Sequence, residues 1–250
     1  MILKVDNLTK KYPKFTLQSI SFSLCQGRIM GLIGKNGAGK STTLKSMLNM
    51  VSPDEGTIKM FNKDFIKNET ICKQKIGVVL GGIDFYQYKK LSDITAVTRR
   101  FYKEWDDNAY QAYMNIFELD PGKRVNQLSA GMKVKYMITL ALSHNADLLI
   151  FDEPTSGLDP VARDDLLELF KLLVNDGQRS ILFSTHITSD LDKCADDITY
   201  IKNGRLLLSA DKETFMRSFQ KLKESNEKEL SLEEIMVRTE RGHYHAKSSL

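Results

Sequence analysis

Apolar residues Ile2, Leu3, Val5 and Leu8 punctuate an otherwise polar start over residues 2–8, and this near-alternation predicts a β-strand. A second strand is expected over residues 21–24. Residues 28–33 read Arg-Ile-Met-Gly-Leu-Ile and run into a glycine-rich turn. A continuous apolar run of that length fits a strand covered on both faces, as in a parallel sheet. The period then changes to that of a helix over 39–50, where Leu44, Met47 and Leu48 recur, before Pro53 and Gly56 mark a loop. Further strands are expected over 56–61 and 76–80. From about Leu91 to Leu119 the texture becomes polar and aromatic, with Phe101, Trp105, Tyr110, Tyr113, Met114 and Phe117 at helical spacing and Pro121-Gly122 closing the stretch. A helical subdomain, about residues 88–140, is expected to be inserted into an α/β core.

Residues 131–143 read as a helix and 147–151 as a very apolar strand. Another helix starts at Pro160, repeats Leu166, Leu169, Phe170 and Leu173, and stops at Gly177. A strand is expected over 180–184. Asn203-Gly204 between residues 198–201 and 205–208 is a hairpin signal. The expected domain spans residues 1–220. Residues 221–250 form a charged tail in which Ser231-Leu232-Glu233-Glu234 could cap a short helix, and 242–250 look frayed.

The chain has 250 residues, 42% hydrophobic and 27% charged, with 36 Lys plus Arg against 32 Asp plus Glu. That apolar content excludes a mainly disordered chain, and 15 Gly with 5 Pro exclude a collagen-like one. A net charge of +4 is too small to imply nucleic acid, and none is expected as a partner. Cys25, Cys72 and Cys194 are odd in number and lack zinc spacing, which fits reduced thiols in a cytoplasmic chain. No apolar run is long enough to span a bilayer. His144 reads as a surface or packing residue, and His243 and His245 as solvated tail rather than metal ligands.

Gly34-Lys35-Asn36-Gly37-Ala38-Gly39-Lys40-Ser41, with Thr42 after it, matches G-x-x-x-x-G-K-[ST] between an apolar strand and a helical pattern. Glycines let the backbone curl so that its N–H groups converge on phosphate oxygens, and the helix N-terminus adds its positive dipole end. Lys40 would meet the β and γ phosphates, and Ser41 would hold Mg2+. Leu148-Leu149-Ile150-Phe151-Asp152-Glu153 is a buried strand delivering two acids at its end, where ligands bind in open parallel sheets. Alone it would read as a strand ending in a solvated turn. Beside the phosphate loop, Asp152 would orient Mg2+ and Glu153 would act as general base on the attacking water.

Two further pieces accompany these. Leu128-Ser129-Ala130-Gly131-Met132 precedes the acidic strand, while Ser156-Gly157-Leu158-Asp159 and then His186 follow it. Over roughly residues 1–215 this set resembles the ATP-binding cassette (ABC) ATPases. The resemblance implies a P-loop NTPase core with a parallel sheet, an N-terminal antiparallel β subdomain and the inserted helical subdomain. It implies that Tyr12 stacks on adenine; the bland alternative is a strand-end aromatic. Ser129 and Gly131 would reach the γ-phosphate bound to a second cassette, Asp159 would communicate across that dimer, and His186 would contact the γ-phosphate. Ala130 and Met132 depart from the family signature. Gly81, followed by Gly82, stands where the family places a glutamine that joins Mg2+ and signals to the membrane partner.

Two functions are weighed. The first is the ATP-hydrolysing subunit of a membrane exporter of peptides or antibiotics. It would bind ATP and Mg2+, pair with a second cassette of the same or another chain, and sit at the cytoplasmic face of the membrane through a permease. The alternative is a soluble mechanical ATPase acting on ribosome or DNA. Such proteins carry long coiled coils or two cassettes in one chain; this chain shows no heptad run and one cassette.

Overall fold

The computed structural model of the protein describes residues 1–80, 86–223 and 229–241. The first half of the chain runs β1 (Leu3–Tyr12), β2 (Phe15–Leu24), β3 (Ile29–Ile33), α1 (Lys40–Met47), β4 (Glu55–Met60), β5 (Lys63–Asp64), α2 (Glu69–Lys73) and β6 (Ile76–Val79). The second half continues with α3 (Leu91–Thr98), α4 (Asp107–Ile116), α5 (Ala130–Ser143), β7 (Leu148–Asp152), α6 (Pro160–Val174), β8 (Ser180–Thr185), α7 (Thr188–Cys194), β9 (Asp197–Lys202), β10 (Arg205–Asp211), α8 (Lys212–Phe219) and α9 (Leu232–Arg241).

The strands lie in the order β5-β4-β1-β2-β10-β9-β3-β8-β7-β6. β1 pairs antiparallel with both β2 and β4, which gives the expected N-terminal antiparallel layer. The block β9-β3-β8-β7-β6 is parallel throughout. Every residue of β3, β7 and β8 is buried, including the polar Asp152, Ser180, Ser184 and Thr185 as well as the apolar runs. The hairpin between β9 and β10 turns at Asn203 and Gly204, both at positive φ, the geometry of a tight hairpin turn.

Pleating divides the apolar residues between two cores. Ile29, Ile33, Leu149, Phe151, Ile181 and Phe183 face α6 and α7, where Phe170 stacks on Phe151 and meets Phe183 edge-on. Met30, Leu32, Leu148, Ile150 and Leu182 face α1 and the antiparallel layer. A third core lies inside the helical insert, around Leu91, Ile94, Met114, Leu128 and Tyr136. Within the segment expected as a charged tail, Leu230, Leu232 and Ile235 are buried in the α6–α7 core.

The sequence pattern did not announce α2, α7 or α8. Each spans eight residues or fewer, about two turns, too short for a hydrophobic period to repeat. The arrangement matters for function because β3, β8 and β7 are parallel neighbours. Their C-terminal ends therefore open onto one edge of the sheet, where residues 34–41, His186 and the acidic pair follow or end the strands.

Candidate active site

The turn after β3 curls because two glycines permit it. A side chain on Gly34 would collide with the Ile201 carbonyl. Gly39 sits at φ 114, with Leu17 and Phe15 3.0 Å from where its Cβ would be. The loop is tied down by Ala38: its N–H donates to the Lys35 carbonyl at 3.0 Å, and its carbonyl accepts from Gly204 N–H at 2.9 Å. No side chain caps α1, so the N–H groups of its first turn are not taken up by a capping side chain. Lys40 is buried, 5% exposed, and its Nζ donates to the Gly34 carbonyl at 2.8 Å and the Lys35 carbonyl at 3.3 Å. Lys35, Asn36 and Gly37 form the exposed rim, and Thr42 is half-buried one residue beyond Ser41.

The end of β7 meets this loop. Asp152 is buried, and its Oδ1 accepts from Ser41 Oγ at 3.1 Å and Ser184 Oγ at 2.6 Å. Glu153 adopts φ 51, an uncommon left-handed conformation for a residue with a side chain. Its N–H holds that turn by donating to Ser184 Oγ at 2.9 Å. The Glu153 carboxylate is gripped at both oxygens. Lys40 Nζ lies 3.0 Å from Oε1, and His186 Nδ1 lies 2.6 Å from Oε2, with the ring N–H donating to the carboxylate.

A cleft of about 540 Å³ opens over these groups. It is lined by Phe15, residues 36–37, residues 39–42, Glu153, Ser156 and His186. Sequence reasoning missed two of its features. Phe15 lines the cleft, whereas Tyr12 stands outside the lining, 41% exposed, with its ring 6.5 Å from that of Phe15. Ser184 bridges the two acids. Its signal was a hydroxyl ending the run Ile181-Leu182-Phe183, two residues before His186.

Other expected residues lie apart from the cleft of their own chain. Ser129 caps α5, its Oγ accepting from Met132 N–H at 3.2 Å. Gly131 faces Leu158 and Ala162, so the α5 start packs beside the α6 start. Asp159 caps α6, its Oδ1 accepting from the Val161 and Ala162 N–H groups, each at 3.0 Å. His144 is a packing residue: it is buried, stacks on Tyr102 at 3.6 Å and contacts the Gln74 carbonyl. The Gly81 and Gly82 positions, and His243 and His245, lie outside the described residues.

The family model for ABC transporters matches residues 17–156. The chain is an ABC transporter family member. The bacitracin transport ATP-binding protein BcrA of Bacillus licheniformis is 32% identical over 209 residues, 82% of this chain and 68% of that one. The lantibiotic transport ATP-binding protein SrtF of Streptococcus pyogenes is 31% identical over 212 residues, 84% of this chain and 91% of its own. Among solved structures, an ATP-binding subunit of an ABC transporter superposes with a TM-score of 0.82 at 26% identity, covering 95% of this chain and 98% of that one. As a member of the ABC family the chain binds and hydrolyses ATP. The parallel block with its antiparallel layer and helical insert is the cassette's fold.

Proposed function

We propose that this cassette powers a membrane exporter whose cargo is a peptide or antibiotic. The observation that carries the catalytic half is the meeting of Lys40, Ser41, Glu153 and His186 at one cleft, with Asp152 behind them. The cargo class is supported by the relatives, whose names are bacitracin transport, lantibiotic transport and linearmycin resistance ATP-binding proteins. Among the described residues no helix is long and apolar enough to cross a membrane. The proposed route to the membrane is a permease, with the cassette on its cytoplasmic face.

In this reading the loop N–H groups and Lys40 take the phosphates, because an uncapped helix N-terminus and a buried ammonium both favour anions. Phe15 forms the apolar wall of the cleft, and Tyr12 is the proposed aromatic for the base. The Ser41 hydroxyl and the Asp152 carboxylate, 3.1 Å apart, are hard oxygens suited to Mg2+. The bound ion would neutralise charge on the phosphates. Glu153 takes the proton of the attacking water, and the His186 ring N–H holds its carboxylate in place. Ser129 and Gly131, outside the cleft of their own chain, are proposed to complete the cleft of a second cassette, and Asp159 to sit at that dimer contact.

Purification of the tagged chain from detergent-solubilised membranes tests the reading. Recovery of an integral membrane protein supports it. Recovery of ribosomes or DNA instead supports the soluble mechanical ATPase and sinks the exporter.

A further inference from the structure

Asp190, on α7, is wholly buried yet lines no part of the nucleotide cleft. Its Oδ1 accepts from Arg163 Nε at 2.5 Å. Its Oδ2 accepts from Thr155 Oγ1 at 2.7 Å and from Thr185 Oγ1 at 3.2 Å. The partners come from three separate pieces of the site. Thr155 lies just beyond Glu153 in the turn leaving β7. Thr185 ends β8 and adjoins His186, and its Oγ1 also accepts from Ile187 N–H at 3.0 Å. Arg163 stands in the first turn of α6, behind Asp159, and donates a second bond to Ser189 Oγ at 2.7 Å.

A carboxylate is costly to bury unless it is paired and hydrogen-bonded, and an apolar side chain would fill such a space without that cost. What the charged arrangement adds is direction. One carboxylate fixes the Glu153 turn, the His186 loop and the α6 start against one another. We propose that Asp190 is a positioning residue for hydrolysis, setting the His186 loop against the Glu153 turn. The inference rests on Glu153 and His186 being the hydrolytic pair. A misplaced catalytic group lowers the rate of the chemical step far more than it lowers ground-state binding.

The test measures single-turnover hydrolysis by the full chain and its affinity for a non-hydrolysable ATP analogue. Asp190→Asn keeps the volume and removes the charge. Its rate should fall roughly tenfold or more. Its affinity should stay within about twofold of the parent, since the 34–41 loop is untouched. In a His186→Ala background the same substitution should cost less than about twofold, because the residue it positions is gone. Thr155→Val leaves the Arg163–Asp190 pair whole and covers the case in which Asp190→Asn does not fold. It should lower the rate severalfold at unchanged affinity. Parental rates in Asp190→Asn or Thr155→Val overturn the proposal. So does a full, additive loss in the His186→Ala background, which marks general damage. Parental hydrolysis in Glu153→Gln and His186→Ala instead removes the hydrolytic pair itself.

Discussion

Lys40 Nζ lies 3.0 Å from Glu153 Oε1, so the ammonium of the phosphate loop and the carboxylate at the end of β7 form one ion pair. Both groups are well shielded from water, with side chains 5% and 22% exposed. In the proposed mechanism each belongs to a different step of ATP hydrolysis, the ammonium serving the phosphates and the carboxylate the attacking water. An arriving triphosphate would then compete with Glu153 for Lys40, and success in that competition would free the base.

Lys40→Ala removes a buried ammonium that lines the cleft and donates to the loop carbonyls. Charge-assisted contacts to several phosphate oxygens disappear together. ATP affinity should fall by roughly two orders of magnitude or more. Titration calorimetry with ATP checks this, and an unchanged affinity sinks the loop's assignment.

Glu153→Gln should act in two directions. Loss of the base should slow single-turnover hydrolysis by roughly a hundredfold or more. Affinity for ATP should rise, because the neutral amide competes less well for Lys40. With hydrolysis stalled, the proposed dimer should accumulate in Mg-ATP. Light scattering that finds only monomer under those conditions counts against the shared site.

Ser184→Ala takes a hydroxyl from between the two acids. Asp152 then keeps Ser41 as its hydroxyl donor, and the Glu153 N–H retains only the Ser184 carbonyl at 3.2 Å. Leaving buried polar groups short of partners costs about 1–3 kcal/mol. Urea unfolding should show that loss. Hydrolysis should fall as well, since the left-handed Glu153 turn depends on the same hydroxyl. Parental stability and rate together would show that Ser184 is a bystander.

The parts of this molecule that were legible in the sequence are those with long or dense local signals. β3 and β7 are built on dense apolar runs, and α6 repeats Leu166, Phe170 and Leu173 down one face. The 34–41 loop names its own chemistry because its residue types are needed at fixed spacing on one short turn. Long-range contacts were not legible. Ser184 and Asp152 meet only because β7 and β8 are paired in register. Phe15 reaches the cleft because β2 folds back beside the loop at Gly39, a contact between distant segments. Asp190 carried no signal in the sequence, because Thr155, Thr185 and Arg163 reach it from three other elements.

His144 gives the chain a defined weakness to acid. It closes α5 at the boundary between the helical insert and the core, with its ring stacked on Tyr102 at 3.6 Å and its Nδ1–H donating to the Gln74 carbonyl. Gln74 also binds the insert, accepting from Lys103 N–H and donating to the Phe101 carbonyl. Burial disfavours the imidazolium and lowers the His144 pKa from 6.5 to about 4. The unfolded chain therefore binds the proton first. Between pH 6.5 and 4 the unfolded state carries more protons at this site than the folded state, so stability falls as the pH falls through that window. Above 6.5 both states are neutral and the contribution is constant; below 4 both are charged and no further loss follows. The window corresponds to about 3 kcal/mol at most. Other groups titrate over the same range, so the measurement is a difference: urea unfolding of the parent and of His144→Phe, which keeps an aromatic ring against Tyr102, across a pH series. The parent should lose stability relative to the variant as the pH drops through this interval, and parallel curves would show that His144 does not stay neutral in the folded protein.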